Sequence, residues 1–153
     1  MARPPPGAMV TAAALNYERR GSGPPLVLLH GIGHRWQAWE PVLDRLAAEH
    51  DVIAVDLPGF GGSPPLSGAS GIADIAAALT AFFGQLGLDQ PHVAGNSLGG
   101  ALALGLTAGG HVSSATALSP AGFWVRWELR WGLGVLVVLR RTCAARSGVR
   151  AGA

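Results

Sequence analysis

A serine flanked by glycines in the second half of the chain has the setting of a nucleophile. Residues 95–99 read Gly-Asn-Ser-Leu-Gly, and they join an apolar run starting at His92 to an Ala/Leu-rich segment of helical character. In a tight turn between a strand and a helix, Ser97 would adopt a crowded backbone conformation, so Gly95 and Gly99 must lack side chains. The amino end of the following helix would favour negative charge developing beside the hydroxyl. The spacing therefore predicts a strained strand-turn-helix unit that exposes a nucleophilic serine.

The same glycine-rich stretch has three rival interpretations. A dinucleotide-binding loop would carry glycine where Ser97 stands. A phosphate-binding loop would carry lysine after Gly100, but Ala101 follows and the chain contains no lysine. With 23 glycines in 153 residues, a Gly-x-Ser-x-Gly match can also arise by chance. The catalytic interpretation therefore depends on the strand before the serine and the helix after it.

The composition indicates one folded domain and excludes several functional classes. The 153 residues are 49% hydrophobic and 13% charged, which is enough for a globular core. The net charge of +2 comes mostly from arginines in the tail, without interleaved aromatic residues, so nucleic-acid binding is not expected. Cys143 is the single cysteine and cannot form an internal disulfide. No secretory signal and no apolar run of membrane-spanning length is visible, so we expect a cytoplasmic protein.

Alternating apolar segments predict an α/β fold with a mostly parallel sheet and flanking helices. The predicted strands span 11–20, 26–29, 52–55, the run that ends at the elbow, and 112–118. The predicted helices span 39–49, 72–86 and the segment after Ser97. Helical spacing would turn these side chains toward the core: Trp39, Val42, Leu43 and Leu46 in the first helix, and Ile72, Ile75, Ala76, Leu79, Phe82, Phe83 and Leu86 in the second.

Three motifs follow successive predicted strands in the order found in the α/β-hydrolase superfamily, which the sequence resembles over roughly residues 11–142. They are His30-Gly31, then Asp56-Leu57-Pro58-Gly59-Phe60-Gly61-Gly62-Ser63, then Gly95-Asn96-Ser97-Leu98-Gly99. Each motif is weak alone, and the correctly spaced set is specific. The resemblance implies an α/β-hydrolase-like fold in which His30 shapes a loop, His34 lines the mouth of the site and Asp56 is structural.

The resemblance also implies the parts of a serine hydrolase site. Ser97 would be the nucleophile, and the backbone N–H groups of Leu98 and Ile32 would form the oxyanion hole. Gly31 and Gly33 would lie in the substrate-binding loop. Such donors stabilise the negative charge of a tetrahedral intermediate. A serine at this position disfavours the branches of the family with an aspartate nucleophile. No metal or cofactor is implied, because no His/Cys/Asp cluster has ligand spacing.

The remaining partners of a catalytic triad are missing from the pattern. The family order is serine, acid, histidine, yet only Glu128 and His111 follow Ser97. His111 precedes a predicted strand, so we expect it at the sheet edge opposite Ser97. Glu128 lies in an aromatic segment that looks like the start of a helical cap, and we expect it to pair with a nearby arginine in solvent.

The organisation that follows is a flexible leader over 1–10, a hydrolase core over 11–122, and the start of a helical cap with a basic tail over 123–153. The chain would thus be truncated at the start of the cap. We expect a serine hydrolase acting on an ester or similar acyl bond of a small molecule, very weak or inactive by itself. The alternative is a non-catalytic or truncated homologue without the triad acid and histidine. The apolar segment 127–139 and an uncovered sheet edge predict self-association.

Overall fold

A computed structural model describes residues 15–67 and 71–122, and these form a sheet with helices on both sides. The strands are β1 (Tyr17–Arg20), β2 (Pro25–Leu29), β3 (Asp51–Val55), β4 (His92–Asn96) and β5 (Ser114–Leu118). The α-helices are α1 (Glu40–Ala47), α2 (Ile72–Gln85) and α3 (Leu98–Ala108), and a 3-10 helix, Trp36–Trp39, precedes α1. All of these elements belong to the compact unit that ends at Ala121.

The sheet has the strand order β1-β3-β2-β4-β5. Strand β1 runs antiparallel to β3, and every other pairing is parallel. The predicted mostly parallel sheet is therefore confirmed. In this order β2 lies between β3 and β4, so the loops that leave these three strands meet at the carboxyl edge of the sheet.

Both faces of the central strands are buried, as their uninterrupted apolar runs predict. Val27 and Leu29 of β2 pack on one face with α2 and α3, and Leu28 packs on the other face with Leu43 of α1. Each fully buried leucine stabilises the fold by about 1.5–3 kcal/mol through the hydrophobic effect. The two layers of core hold β2 and β4 rigidly, and the candidate nucleophile follows β4 directly.

The structure shortens several predicted elements and corrects two predicted core positions. Of the predicted first strand, residues 11–14 lie outside the described ranges, 15–16 are not in a strand, and β1 begins at Tyr17; β5 begins at Ser114 rather than 112. Val42 and Ile72, both assigned to apolar helix faces, are 37% and 53% exposed. Ile72 opens the first turn of α2, where the helix has not yet reached the core. Helical spacing alone does not reveal where a helix meets its neighbours.

Several predictions concern residues outside the described ranges. These are the flexible leader over 1–10, the cap and basic tail over 123–153, Glu128 and Cys143. They stay predictions. Within the described residues no helix is long and apolar enough to cross a membrane.

Candidate active site

Ser97 lies at the junction of β4 and α3 in a backbone conformation that non-glycine residues rarely adopt. Its φ is 52° and its ψ is −110°. The Ser97 N–H donates to the Leu118 carbonyl at 2.9 Å, and the Ser97 carbonyl accepts N–H groups of Ala101 at 3.0 Å and Ala121 at 2.9 Å. These bonds hold the strained residue from both sides. The turn therefore has the backbone geometry of a nucleophile elbow.

The glycines around Ser97 are required because the chain approaches itself closely. A Cβ added at Gly95 would lie 2.1 Å from the Gly99 carbonyl oxygen, and one at Gly99 would lie 2.1 Å from the Leu29 carbonyl oxygen. Gly100 is less crowded, since a Cβ there would lie 3.1 Å from Pro120 Cα. The turn thus depends on close contact of α3 with β4, the strand that precedes it, and with the neighbouring strand β2.

The loop after β2 contacts the elbow. A Cβ on Gly31 would lie 3.3 Å from Ser97 Cβ and 3.2 Å from Asn96 Oδ1. The Gly31 carbonyl accepts the His34 N–H at 3.2 Å, which closes a turn over Ile32 and Gly33. Ile32 is 49% exposed, so its position in this turn faces solvent. The structure therefore brings together the two segments in which the sequence predicts the oxyanion donors.

Leu98 begins α3, and its side chain is buried. The first turn of an α-helix leaves N–H groups without intrahelical acceptors, and the helix dipole adds partial positive charge there. The Ser97 side chain makes no capping hydrogen bond with this turn. The amino end of α3 can therefore receive an anionic oxygen beside the hydroxyl.

His30 is a structural residue whose two ring nitrogens are both engaged. Nε2 accepts the Leu57 N–H at 3.0 Å, so Nδ1 carries the proton and donates to the Gly31 carbonyl at 2.7 Å. Burial lowers the pKa of His30 below its ordinary value, although the bond to Gly31 opposes this. The neutral ring joins the loops after β2 and β3. Neither nitrogen is free to take a proton from Ser97.

Asp56, directly after β3, connects three segments of this edge. Its Oδ1 accepts the Trp36 N–H at 2.6 Å, and its Oδ2 accepts the Gly62 N–H at 2.8 Å and Asn16 Nδ2 at 2.7 Å. Burial raises its pKa, but the three hydrogen bonds outweigh burial and hold the pKa below the ordinary value. Both oxygens of the carboxylate therefore accept hydrogen bonds from the protein. Its predicted structural role agrees with these contacts.

Asn16 and Ser63 complete this polar cluster, and the sequence pattern assigns neither of them a role. The Ser63 hydroxyl donates to the Asp56 carbonyl at 2.6 Å and accepts the Asn16 N–H at 2.9 Å. Ser63 ends the Asp-to-Ser motif, so its spacing from Asp56 is a usable signal. Asn16 precedes β1, and no local pattern distinguishes it from other polar residues.

The histidine after Ser97 lies away from the elbow. Strand β5 pairs in parallel with β4, and Ser114 at its amino end lies opposite His92. His111 precedes Ser114, so it lies at the amino edge of the sheet, whereas Ser97 lies at the carboxyl edge. The expected position of His111 is confirmed. Among residues 15–67 and 71–122, no group of three His, Cys, Asp or Glu residues could hold a metal ion.

A cleft of about 620 Å³ opens beside the loop after β2. Gly33 lies in its wall, and so does His34, as the resemblance implied. Segments from the loop after β3 form the opposite wall. The cleft therefore lies at the same edge of the sheet as Ser97.

The amino-acid sequence matches the family of the alpha/beta hydrolase fold over residues 24–152. The chain belongs to this family. The strand order, the elbow and the two preceding loops described above agree with the match.

Individual relatives differ in what they do. The chain is 37% identical over 119 residues to the dihydrolipoyllysine-residue acetyltransferase component of the acetoin cleaving system of Cupriavidus necator, covering 76% of this chain and 32% of that protein. It resembles the structure of a marine microorganism esterase, with a TM-score of 0.61 and 28% identity, over 65% of this chain and 38% of the other. It also resembles the epoxide hydrolase CorEH, with a TM-score of 0.67 and 31% identity, over 74% and 41%. The chain spans about a third of the length of the curated relative.

Proposed function

We propose that this chain carries the nucleophile and the oxyanion donors of a serine hydrolase that cleaves an ester or similar acyl bond of a small molecule. The observation that carries the proposal is the left-handed backbone of Ser97 at the start of α3. A strained conformation persists only where surrounding contacts over-determine it, and such residues cluster at functional sites. The marine esterase relative is consistent with this chemistry.

In the proposed reaction, Ser97 Oγ attacks the acyl carbon and its proton passes to a base. The backbone N–H groups of Leu98 and Ile32 stabilise the oxyanion, each by about 2.7–4 kcal/mol. The alcohol leaves after accepting a proton, and water then hydrolyses the acyl-enzyme. Gly31 and Gly33 let the substrate approach the backbone closely, because they present no side chain to it.

Two histidines are excluded as the base that would take the proton of Ser97. Both nitrogens of His30 are engaged, and His111 lies at the other edge of the sheet. This observation favours a second candidate, a homologue that keeps the fold without catalysis. The epoxide hydrolase relative represents a third chemistry, and serine at position 97 argues against the aspartate-nucleophile branch of the family.

The test is covalent labelling of the chain when it is completed by a downstream segment that carries an acid and a histidine. A fluorophosphonate probe should label Ser97, and Ser97→Ala should abolish labelling. Ser114→Ala, which removes a hydroxyl hydrogen-bonded to His92 at the other edge, should leave labelling unchanged. Labelling that survives Ser97→Ala would refute the nucleophile.

Turnover separates the enzyme from the non-catalytic candidate. The 153-residue chain alone should hydrolyse p-nitrophenyl esters very slowly, because a serine without its base is a poor nucleophile. The completed protein should turn over many times. Brisk turnover by the chain alone that disappears with His111→Ala would identify His111 as the base and contradict its assignment. Absence of turnover and labelling in the completed protein would favour the non-catalytic homologue.

We also propose that the isolated chain self-associates, because nine of the thirteen residues in segment 127–139 have large apolar side chains. Light scattering should detect species larger than the monomer, and a dye for apolar surface should bind. A monodisperse monomer without dye binding would contradict this proposal.

A further inference from the structure

The cleft beside the loop after β2 has a basic wall. Its walls carry Gly33, His34, Arg35 and Gln37 on one side, and Gly59 and Phe60 on the other. Arg35 and His34 are both exposed. No acidic residue lines the cleft within the described part of the chain. The side chains that a ligand meets there are therefore neutral or cationic.

The cleft and the candidate nucleophile lie at the same edge of the sheet. Its walls come from the loops after β2 and β3, which pair in parallel, and Ser97 follows β4, the other neighbour of β2. Gly31, two residues before Gly33, lies against Ser97. A ligand that extends from the cleft along this loop, from Gly33 toward Gly31, would run toward Ser97.

The side chain of Arg35 is exposed, and hydrogen bonds hold the backbone at and after this residue. In residues 15–67 and 71–122, the arginines found in ion pairs are Arg19 and Arg20. The Arg35 carbonyl accepts the Ala38 N–H at 2.9 Å, and the next N–H, that of Trp36, donates to Asp56 at 2.6 Å. The flexible side chain therefore projects from a backbone held on both sides.

Within the described residues, Asp56 forms no ion pair with Arg35. It is 1% exposed, and its carboxylate accepts hydrogen bonds from Trp36, Gly62 and Asn16. Both carboxylate oxygens therefore have hydrogen-bond partners other than the Arg35 guanidinium. A guanidinium in such a wall matches the paired oxygens of a carboxylate or a phosphate.

We propose that the cleft binds an anionic oxygen group, a carboxylate or a phosphate, on the part of the substrate remote from the bond that Ser97 attacks. Arg35 is the main partner of this group. The inference rests on the proposed function, because it takes Ser97 as the point of attack. It narrows the substrate class from any acyl compound to an ester with a second, negatively charged end.

The first test measures the local potential at position 97 without needing catalysis. Ser97→Cys is introduced in a Cys143→Ser background, and its rate of modification is measured with sulfonatoethyl and trimethylammonioethyl methanethiosulfonate. The thiolate attacks the reagent sulfur, a mixed disulfide forms and methanesulfinate leaves. The ratio of the anionic to the cationic rate should fall roughly three- to tenfold with Arg35→Gln, and less in high salt.

The matched control is Arg45→Gln, which removes the same charge from the last turn of α1, away from the cleft. It should leave the ratio unchanged. An equal ratio with and without Arg35, an equal fall with Arg45→Gln, or a ratio no different from that in concentrated urea would each overturn the proposal.

The second test observes the cleft directly. Monomethyl glutarate and methyl phosphate are titrated into the full chain with Ser97 intact, with dimethyl glutarate as the neutral probe. The anions should shift the amide signals of Gly33 and Gly59, and Arg35→Gln should weaken binding roughly three- to tenfold. The stronger of the two anions distinguishes a carboxylate from a phosphate substrate. Equal shifts with dimethyl glutarate, or no effect of Arg35→Gln, would overturn the proposal.

The two tests separate this inference from the proposed function. If the thiol of Ser97→Cys reacts with neither reagent while the anions still bind beside Arg35, the nucleophile assignment fails and the anion site stands. If that thiol reacts readily and neither anion binds, the anion site fails, and fluorophosphonate labelling of Ser97 still decides the nucleophile.

Discussion

The two edges of the sheet hold polar residues in very different ways. At the carboxyl edge, His30 and Asp56 are each 1% exposed, and their hydrogen bonds join loops distant in sequence. At the amino edge, Asp51 pairs with Arg19, whose side chain is 44% exposed. His92 there hydrogen-bonds the Ser114 hydroxyl at 2.7 Å, also near the surface. The carboxyl edge is built as a buried network, and the amino edge is an ordinary solvated surface.

The difference shows that a serine beside a histidine is poor evidence for catalysis. Ser114 has a histidine partner but lies within a regular strand, without a helix amino end beside it. Ser97 has the strained turn, the close glycines and the neighbouring loop, whereas both ring nitrogens of His30 are engaged and His111 lies at the other edge. Backbone geometry is therefore a better guide to the candidate functional edge than the pairing of residue types.

The largest expected effect breaks the elbow itself. Gly99→Ala would place a Cβ 2.1 Å from the Leu29 carbonyl oxygen, a contact that only backbone movement can relieve. We expect a loss of more than about 4 kcal/mol in the free energy of unfolding, a large part of the total stability of a small domain. Circular dichroism and urea denaturation would measure it.

The matched control lies further along the same helix. Nothing lies within 4 Å of a Cβ at Gly105, and alanine favours a helix interior over glycine. Gly105→Ala should stabilise the chain by about 0.5–1 kcal/mol. Similar effects of the two substitutions would mean that the elbow is not tightly packed.

The second prediction compares the two ends of β3. Asp56→Asn puts an amide NH₂ against backbone or side-chain N–H donors, leaving at least one buried donor unpaired. The expected cost is about 2–4 kcal/mol, from the lost charge and the unpaired donor. Asp51→Asn at the other end removes an exposed ion pair and should cost at most about 1 kcal/mol.

Acid should weaken the Asp56 network in its own pH range. The pKa of Asp56 in the folded chain lies below its ordinary value of 3.8, so its stabilisation is complete above that pH. It is lost as the pH falls through the lower folded value. Chemical denaturation at a series of pH values would measure both effects. Equal costs for Asp56→Asn and Asp51→Asn would contradict the contrast between the edges.

The fold could be predicted from the sequence because its signals are local and repeated. The runs Leu26–Leu29 and Val52–Val55 are apolar without interruption, which indicates strands buried on both faces. The Gly95-x-Ser97-x-Gly99 spacing predicts the turn because a tight turn leaves no room for side chains beside the serine. The structure shows this crowding, since a Cβ at Gly95 or Gly99 would lie 2.1 Å from a backbone oxygen. Helix faces were less predictable: Ile72 has the right spacing and is 53% exposed, because contact with the core depends on tertiary packing.

The candidate site could be predicted only in part, because much of it depends on contacts between distant segments. Asn16 binds Asp56 across 40 residues, and no local pattern records that pair. The cleft beside Arg35 arises where two loops from neighbouring strands meet. The positive charge of Arg35 is visible in the sequence. That the cleft lies at the same edge as the elbow follows only from the strand order.

The smallest expected effect is a pH dependence of the unfolding free energy that comes from the carboxyl edge and not from the amino edge. Burial lowers the pKa of His30 in the folded chain below its ordinary value of 6.5, so the folded state binds fewer protons than the unfolded state as the pH falls. The stabilisation from neutral His30 is complete above that value and declines as the pH falls from about 6.5 toward the folded pKa, by at most about 1.4 kcal/mol per pH unit. His30→Gln places its amide oxygen near the position of Nε2, so it can keep the hydrogen bond from the Leu57 N–H with a side chain that does not titrate. It should therefore flatten the decline in unfolding free energy between about pH 7 and pH 5.5, measured by urea denaturation.

The control is His92→Gln, at the amino edge, which should retain the decline. A decline that persists in His30→Gln and disappears in His92→Gln would reverse the comparison, because the proton-sensitive network would then lie at the solvated edge.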